Sequence, residues 1–283
     1  MTFVIKIIRS TECRLAPRRI GETELSQKTK STNKVNFERV KHFLVWLQNM
    51  LMFQLVLYKN RGELGSVKLV RHGSSYGGWW IPIEVEKDLR AKALVSAGLG
   101  FDTSFDEAML EKGWSVLGID PLSECCALAE ERLKKFPKFQ VLNVGLSVEA
   151  GFQTFFQPKN PNHDSWSTIN AQSVVNPVSI DFPVVSLKGL IGRHKILADA
   201  EYRYLKMDIE GAELALFQES MADFVGFDFL AVEVDFLSPI PFREFRLRFR
   251  RIRYMREILR ELHRDGWNLV HVENSNFFWG KST

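Results

Sequence analysis

Two glycines one residue apart, Gly98 and Gly100, are followed closely by Asp102, Thr103 and Ser104. Set between a strand and a helix, such a pair permits a tight turn and lets the backbone approach a ligand at the helix N-terminus. Asp120 follows Gly98 by 22 residues, the place where a carboxylate can accept hydrogen bonds from both hydroxyls of a ribose. Each feature alone has a plain structural explanation, the glycines as turn geometry and Asp120 as a cap for the helix after Pro121. Together, in this order and spacing, they point to a nucleotide-like cofactor and leave NAD against S-adenosylmethionine. A dinucleotide turn needs a third glycine where this chain has Thr103, and Asp102 would set a negative charge beside a diphosphate. A cofactor without phosphate that carries a sulfonium and an ammonium suits the acidic turn better.

These residues need alternating strands and helices to position them. The apolar run 93–97 ending at Gly98 predicts a buried parallel strand. Helix 104–112 is closed by Gly113, strand 116–119 by Asp120 and Pro121, and helix 122–135 leads into strand 139–144. Short strands 152–156 and 184–187 flank a polar loop, 157–180, whose His163, Asp164, Ser165 and Trp166 read equally as an acceptor-recognition lid or an ordinary surface loop. Strand 202–207 ends at Asp208, helix 211–221 follows, and strand 229–234 contains Glu233. Helix 242–263 carries the stripe Phe242, Phe245, Phe249, Ile252, Met255, Leu259 and Leu262. Strands 267–272 and 277–280 can close the fold as an antiparallel hairpin. The predicted class is α/β, a doubly wound, mostly parallel sheet of about seven strands, with ligands beyond the carboxyl ends of the strands.

With 283 residues, 45% apolar and 25% charged, the chain excludes collagen-like, mucin-like and wholly disordered readings. Its three cysteines, Cys13, Cys125 and Cys126, form neither a disulfide framework nor a paired zinc motif, which fits a reducing compartment. The net charge of +4 is uneven: ten Lys/Arg and four Glu in 1–42 give +6, leaving −2 for the rest. Residues 1–36 read as a basic, disordered tail, 37–63 as a hydrophobic or amphipathic helical extension, and 64–283 as the cofactor-binding domain. The segment 43–58 is too short, and too broken by Gln48, Asn49 and Gln54, for a spanning helix. It reads as a helix packed on the domain, or one whose flanking Lys41, Lys59 and Arg61 touch a membrane surface through 37–58. A cytoplasmic protein, with membrane association left open, is expected.

The run LKMDIEGAE at 205–213 resembles the LKxDxEGxE signature of FkbM-type S-adenosylmethionine-dependent methyltransferases. SAGLGFDTSF at 96–105 is similar to the first motif of that family, and Gly77, Gly78 and Trp79 upstream, with Asn276 and Phe277 near the end, also resemble its pattern. The resemblance spans about residues 64–281 and implies the Rossmann-like class I methyltransferase fold. Ser96, where many class I enzymes carry an acid, and Asp102, in place of their last glycine, depart from it. By position, it implies that Gly98 and Gly100 pass beneath the cofactor, with Asp102 and Ser104 near its amino-acid end. Asp120 would bind the ribose, Asn143 would meet the adenine edge, and Asp208 would face the transfer centre with Glu210 at the same mouth. O-methylation of a hydroxyl on a sugar or small metabolite is the implied chemistry; the sequence offers no metal-ligand set.

An alcohol acceptor needs a general base, and Asp208, Glu210, Glu233 and His271 are the candidates. Glu233 lies in the apolar run LAVEV, where a carboxylate must be paired or shifted in pKa; Asp208 and Glu233 are preferred. Nine arginines between Arg243 and Arg264, with the basic tail, leave a nucleic-acid methyltransferase as an alternative. The absence of an Asn/Asp-Pro-Pro-aromatic motif and the helical setting of Cys125 and Cys126 weigh against it. A non-catalytic scaffold of the same fold is the third reading.

Overall fold

The structure, a computed structural model, describes residues 67–169, 177–234 and 245–281. The basic tail, the hydrophobic segment before residue 64 and the first residues of the long helix lie outside the described residues. Within them, runs of apolar residues form parallel strands covered on both faces: β3 (Lys92–Ala97), β4 (Ser115–Ile119), β5 (Phe139–Leu142), β9 (Tyr202–Met207) and β10 (Phe229–Glu233). With β11 (Trp267–Glu273) and β12 (Asn276–Lys281) they make a seven-stranded sheet in the order β11-β12-β10-β9-β3-β4-β5. Only β12 runs against its neighbours. The chain builds outward from β3 to β5, then returns to the other side of β3 with β9, so the order reverses between β3 and β9. This is the doubly wound α/β sheet of the class I methyltransferase fold.

Successive strand residues point to opposite faces and feed two cores. Val95, Leu205, Leu230 and Phe277 face one side, where they meet Leu216, Phe217 and the buried stripe Met255, Ile258, Leu259 and Leu262 of the last helix. Their neighbours Leu94, Tyr204, Ala231 and Phe278 face the other, against Trp79, Trp80, Phe105 and Trp114. Helices α2 (Ser104–Glu111), α3 (Ser123–Leu133), α6 (Glu213–Glu219) and α7 (Phe245–Arg264) lie where sequence periodicity sets them, within a few residues. Of the predicted α7 stripe, Ile252, Met255, Leu259 and Leu262 are described and packed inward, joined by Ile258.

Some elements carried no such signal. A hairpin, β1 (Leu69–His72) and β2 (Trp79–Pro82), precedes a short helix α1 (Ile83–Lys87). After β5, the two-residue β6 (Gly145–Leu146), β7 (Gly151–Phe156) and β8 (Ser179–Val185) form a separate three-stranded sheet. The strand predicted at 184–187 therefore lies earlier. Helix α4 (Leu187–Arg193) begins there instead, because the Ser186 hydroxyl accepts from the Gly189 amide at 3.2 Å and caps it. Helix α5 (Lys195–Ala198) follows.

Tyr204 ties the aromatic core to the hairpin: its buried hydroxyl donates to the Trp80 carbonyl at 2.9 Å, and its ring stacks with Phe278 at 5.8 Å. Tyr204→Phe is expected to lower unfolding free energy by about 1 kcal/mol with an unchanged denaturant slope, measured by urea titration.

Candidate active site

The parallel register of β3 and β9 brings Ala97 opposite Met207, so Gly98 and Asp208 leave the sheet side by side. The Asp208 amide donates to the Ala97 carbonyl at 3.0 Å, and the Gly98 amide to the Ile119 carbonyl at 2.9 Å. Gly98 has φ +76°, and a Cβ there would lie 1.8 Å from the Asp208 carbonyl oxygen. Gly100, at φ +55°, would set a Cβ 2.7 Å from a carboxylate oxygen of Asp164. Both glycines are required by close approach as well as by backbone conformation.

Asp120, only 5% exposed, braces this turn. Its Oδ2 accepts from the amides of Leu99 at 2.9 Å and Gly100 at 3.1 Å, and its Oδ1 from Leu122 at 2.8 Å. Burial raises its pKa, although the amides of Leu122, Gly100 and Leu99 pull the other way. A narrow cavity of about 40 Å³ opens beside it, lined by Gly98, Asp120, Asp164, Trp166, Asp208 and Glu210 among others. Of the residues predicted for the site, Gly98, Asp120, Asp208 and Glu210 are thus brought to one cavity.

The others are engaged elsewhere. Asp102 accepts from the Ser74 hydroxyl at 2.5 Å and from the Ser104 amide at 3.0 Å, and the Ser104 hydroxyl accepts from the Ser74 amide at 2.7 Å. Both side chains hold the β1–β2 turn and neither lines the cavity. Burial would raise the Asp102 pKa, but bonds from Ser104, Ser74 and Gly77 outweigh it and hold the carboxyl low. Exposed Asn143 donates its amide to the carbonyls of Asp120 at 3.0 Å and Pro121 at 2.9 Å, leaving its Oδ1 for another donor. Glu233 ends β10, half-buried, and accepts from the Ser275 hydroxyl at 2.8 Å. The His271 ring lies tilted against Trp80, with 4.5 Å between ring centres, and burial lowers its pKa against the opposing charge of Glu273. Cys125 and Cys126 are buried free thiols on α3, and burial pushes Cys126 up to about 11, away from nucleophilic use.

Sequence reasoning missed several members of the site. Buried Lys206 alternates with Leu205 on β9; its ammonium donates to the Gly98 carbonyl and lies 4.0 Å from Asp208 Oδ2. Asp106, 2% exposed, is buried on α2 with the Ser96 hydroxyl and the Lys206 charge as its neighbours. After Asp208, Glu210 has φ +54° and Gly211 φ +97°, and the Gly211 amide donates to buried Glu213 at 2.8 Å. The second glutamate of the EGxE run thus fixes the strained turn that presents the first. From the polar loop, Asp164 accepts from the Phe101 amide at 3.0 Å, and the Ser167 hydroxyl donates to the Glu210 carbonyl. The described part of that loop therefore covers the cavity. Lys206 stands in the LKMDIEGAE run, which gave it no role, and the only sequence cue to Asp106 was a charge inside an apolar pattern.

The glycine turn, the carboxylate beside it and an acidic cavity suit a cationic adenosyl cofactor. Among the described residues no three His, Cys, Asp or Glu side chains come together to hold a metal ion, and no helix is long and apolar enough to cross a membrane. The model of the methyltransferase FkbM domain matches residues 95–266. Among solved structures, the human methyltransferase 10 domain containing protein aligns over 82% of this chain and 81% of its own, with 10% identity and a TM-score of 0.37. No protein of curated function matches the chain.

Two outcomes follow from the buried groups. Gly98→Ala is expected to lower stability by on the order of 3 kcal/mol, because its clash is with backbone; Gly100→Ala should cost clearly less, since the Asp164 side chain can move. Urea titration of both variants checks the order. Burial raises the Asp106 pKa above its ordinary value of 3.8, only partly offset by the Lys206 charge. Its contribution to stability is therefore fully present below the unfolded value and lost as pH rises through the folded one. Asp106→Asn should flatten that decline across urea unfolding curves taken from about pH 4 to about pH 7.

Proposed function

The chain belongs to the FkbM methyltransferase family, whose model matches residues 95–266, and from that premise we propose that it methylates a hydroxyl of a sugar or other small metabolite. Bound S-adenosylmethionine supplies a methyl group already activated for in-line displacement. The protein's task is then to hold the acceptor oxygen in line and exclude water. Gly98 and Gly100 would carry the cofactor on their backbone, and Asp120, at the end of β4, would meet its ribose. Asn143 Oδ1 would accept from the adenine edge.

The observation that carries the reading is that Asp208 and Glu210 line the same cavity as Gly98 and Asp120. A carboxylate in that position can take the proton of a hydroxyl as the new bond forms. Asp208 is the proposed base because it leaves β9 directly beside the glycine turn, with the Lys206 ammonium 4.0 Å from its Oδ2 favouring the carboxylate form. Glu210, presented on its strained turn at the cavity, would accept a hydrogen bond from another hydroxyl of the acceptor, whereas Glu233, held by Ser275, lies outside the cavity lining. Trp166 and Asp164 on the covering loop would close over the occupied cavity and keep water out.

Asp208→Ala is expected to lower kcat by about 100-fold or more. S-adenosylhomocysteine affinity by calorimetry and the urea midpoint should stay near wild type. Label transferred from S-adenosylmethionine to methyl α-D-glucopyranoside, cyclohexanol or phenol gives the rate. Wild-type turnover in the variant removes Asp208 from the mechanism, and absence of binding heat in the wild-type protein removes the proposed reaction.

A further inference from the structure

The arginines of α7 have no part in the proposed reaction, and their arrangement is regular. Arg250, Arg253, Arg256, Arg260 and Arg264 recur at steps of three or four residues, so they form one stripe along the helix. The opposite face is the buried row Met255, Ile258, Leu259 and Leu262, which packs into the core and holds the stripe outward. Arg250, Arg253, Arg260 and Arg264 are exposed, and Arg256 is half-buried. From Arg250 to Arg264 the stripe runs about 21 Å.

Its charge is only partly neutralised. Between residues 250 and 264, six arginines stand against two glutamates, Glu257 and Glu261. Arg253 Nε donates to Glu257 at 3.0 Å, and Arg264 lies 3.8 Å from Asp265. Arg250, Arg256 and Arg260 have no acidic partner among the described residues. Like charges held in a row on a packed helix repel one another, and an anionic surface laid over them relieves that cost. The choice of residue is also uneven: 64–242 holds eleven Lys and five Arg, whereas 243–264 holds nine Arg and no Lys. A guanidinium offers a planar fork of donors that grips phosphate oxygens, where an ammonium acts as a point charge.

We propose that the arginine stripe of α7 docks the protein on the phosphates of an anionic lipid bilayer. Clusters of about four to eight basic residues on an amphipathic helix are the electrostatic footprint of such docking. Two observations favour a bilayer over nucleic acid. The chain also carries the apolar run 43–58, flanked by Lys41, Lys59 and Arg61, and an apolar element added to a basic one turns a reversible contact into stable attachment. The stripe presents no exposed aromatic ring among its described residues for bases to stack on, since Tyr254 is half-buried against the core. This inference stands independently of the hydroxyl-methylation reading.

Flotation of the full chain with lipid vesicles tests it. The protein should bind vesicles of equal parts phosphatidylcholine and phosphatidylserine at about 0.1 M salt, and far more weakly at about 1 M, where the Debye length falls to about 3 Å. Arg250→Gln, Arg256→Gln and Arg260→Gln combined should lower that affinity on the order of 100-fold, with S-adenosylhomocysteine affinity and the urea midpoint near wild type. Glu257→Gln with Glu261→Gln should instead raise it about tenfold. No binding, or equal binding to phosphatidylcholine alone, overturns the inference, as does an affinity unchanged in both variants. Tighter binding to a DNA duplex or an RNA oligonucleotide than to the acidic vesicles also overturns it, because the stripe would then serve nucleic acid.

Discussion

The carbonyl of Asp208 occupies the space that any side chain at residue 98 would need. That contact is forced by the parallel pairing of β3 with β9, the point at which the chain reverses its direction of growth across the sheet. Because the two strands emerge together, one residue of backbone separates the cofactor turn from the residue proposed as base. Lys206 reinforces the junction from below, bridging the Gly98 carbonyl and the Asp208 carboxylate with a single buried ammonium. Asp120 and Glu213 do the same for the adjoining turns by accepting from their amides. The rim is thus held by charged groups bonded to backbone, and these lose little order when a ligand arrives.

Ser96, where many class I enzymes carry an acid, is buried on β3 beside Asp106 of α2. Burial holds the Asp106 carboxyl above its ordinary value, and the Lys206 charge offsets this only in part. The anion nearest the Lys206 ammonium is then Asp208, whose Oδ2 lies 4.0 Å away.

Much of the central sheet could be read from the chain because its signals are local. Strands β3, β4, β9 and β10 are apolar runs bounded by Gly98, Asp120, Asp208 and Glu233, and α7 repeats every three or four residues. The family resemblance and the doubly wound fold follow from those same segments. The hairpin β1–β2 escaped because its stability is tertiary: Ser74 and Arg71 satisfy a turn that has no period of its own, and Trp79 and Trp80 are buried by distant Tyr204 and His271. The strand near residue 184 was shifted because Val184 and Val185 end β8 while Ser186 starts a helix, a boundary that apolar content cannot mark. Asp102 and Ser104 were legible as residues of the first motif, but their partner Ser74 lies about thirty positions away, beyond the range of any spacing rule.

The covering loop is fastened to both walls of the cavity, by Asp164 to the Phe101 amide on one side and by Ser167 to the Glu210 carbonyl on the other. The carbonyl held by Ser167 belongs to Glu210, whose side chain lines the cavity with Asp208. Loop and acidic turn therefore share one tie: whatever shifts residue 167 is felt at the left-handed backbone of residue 210, and so at the acidic edge of the cavity.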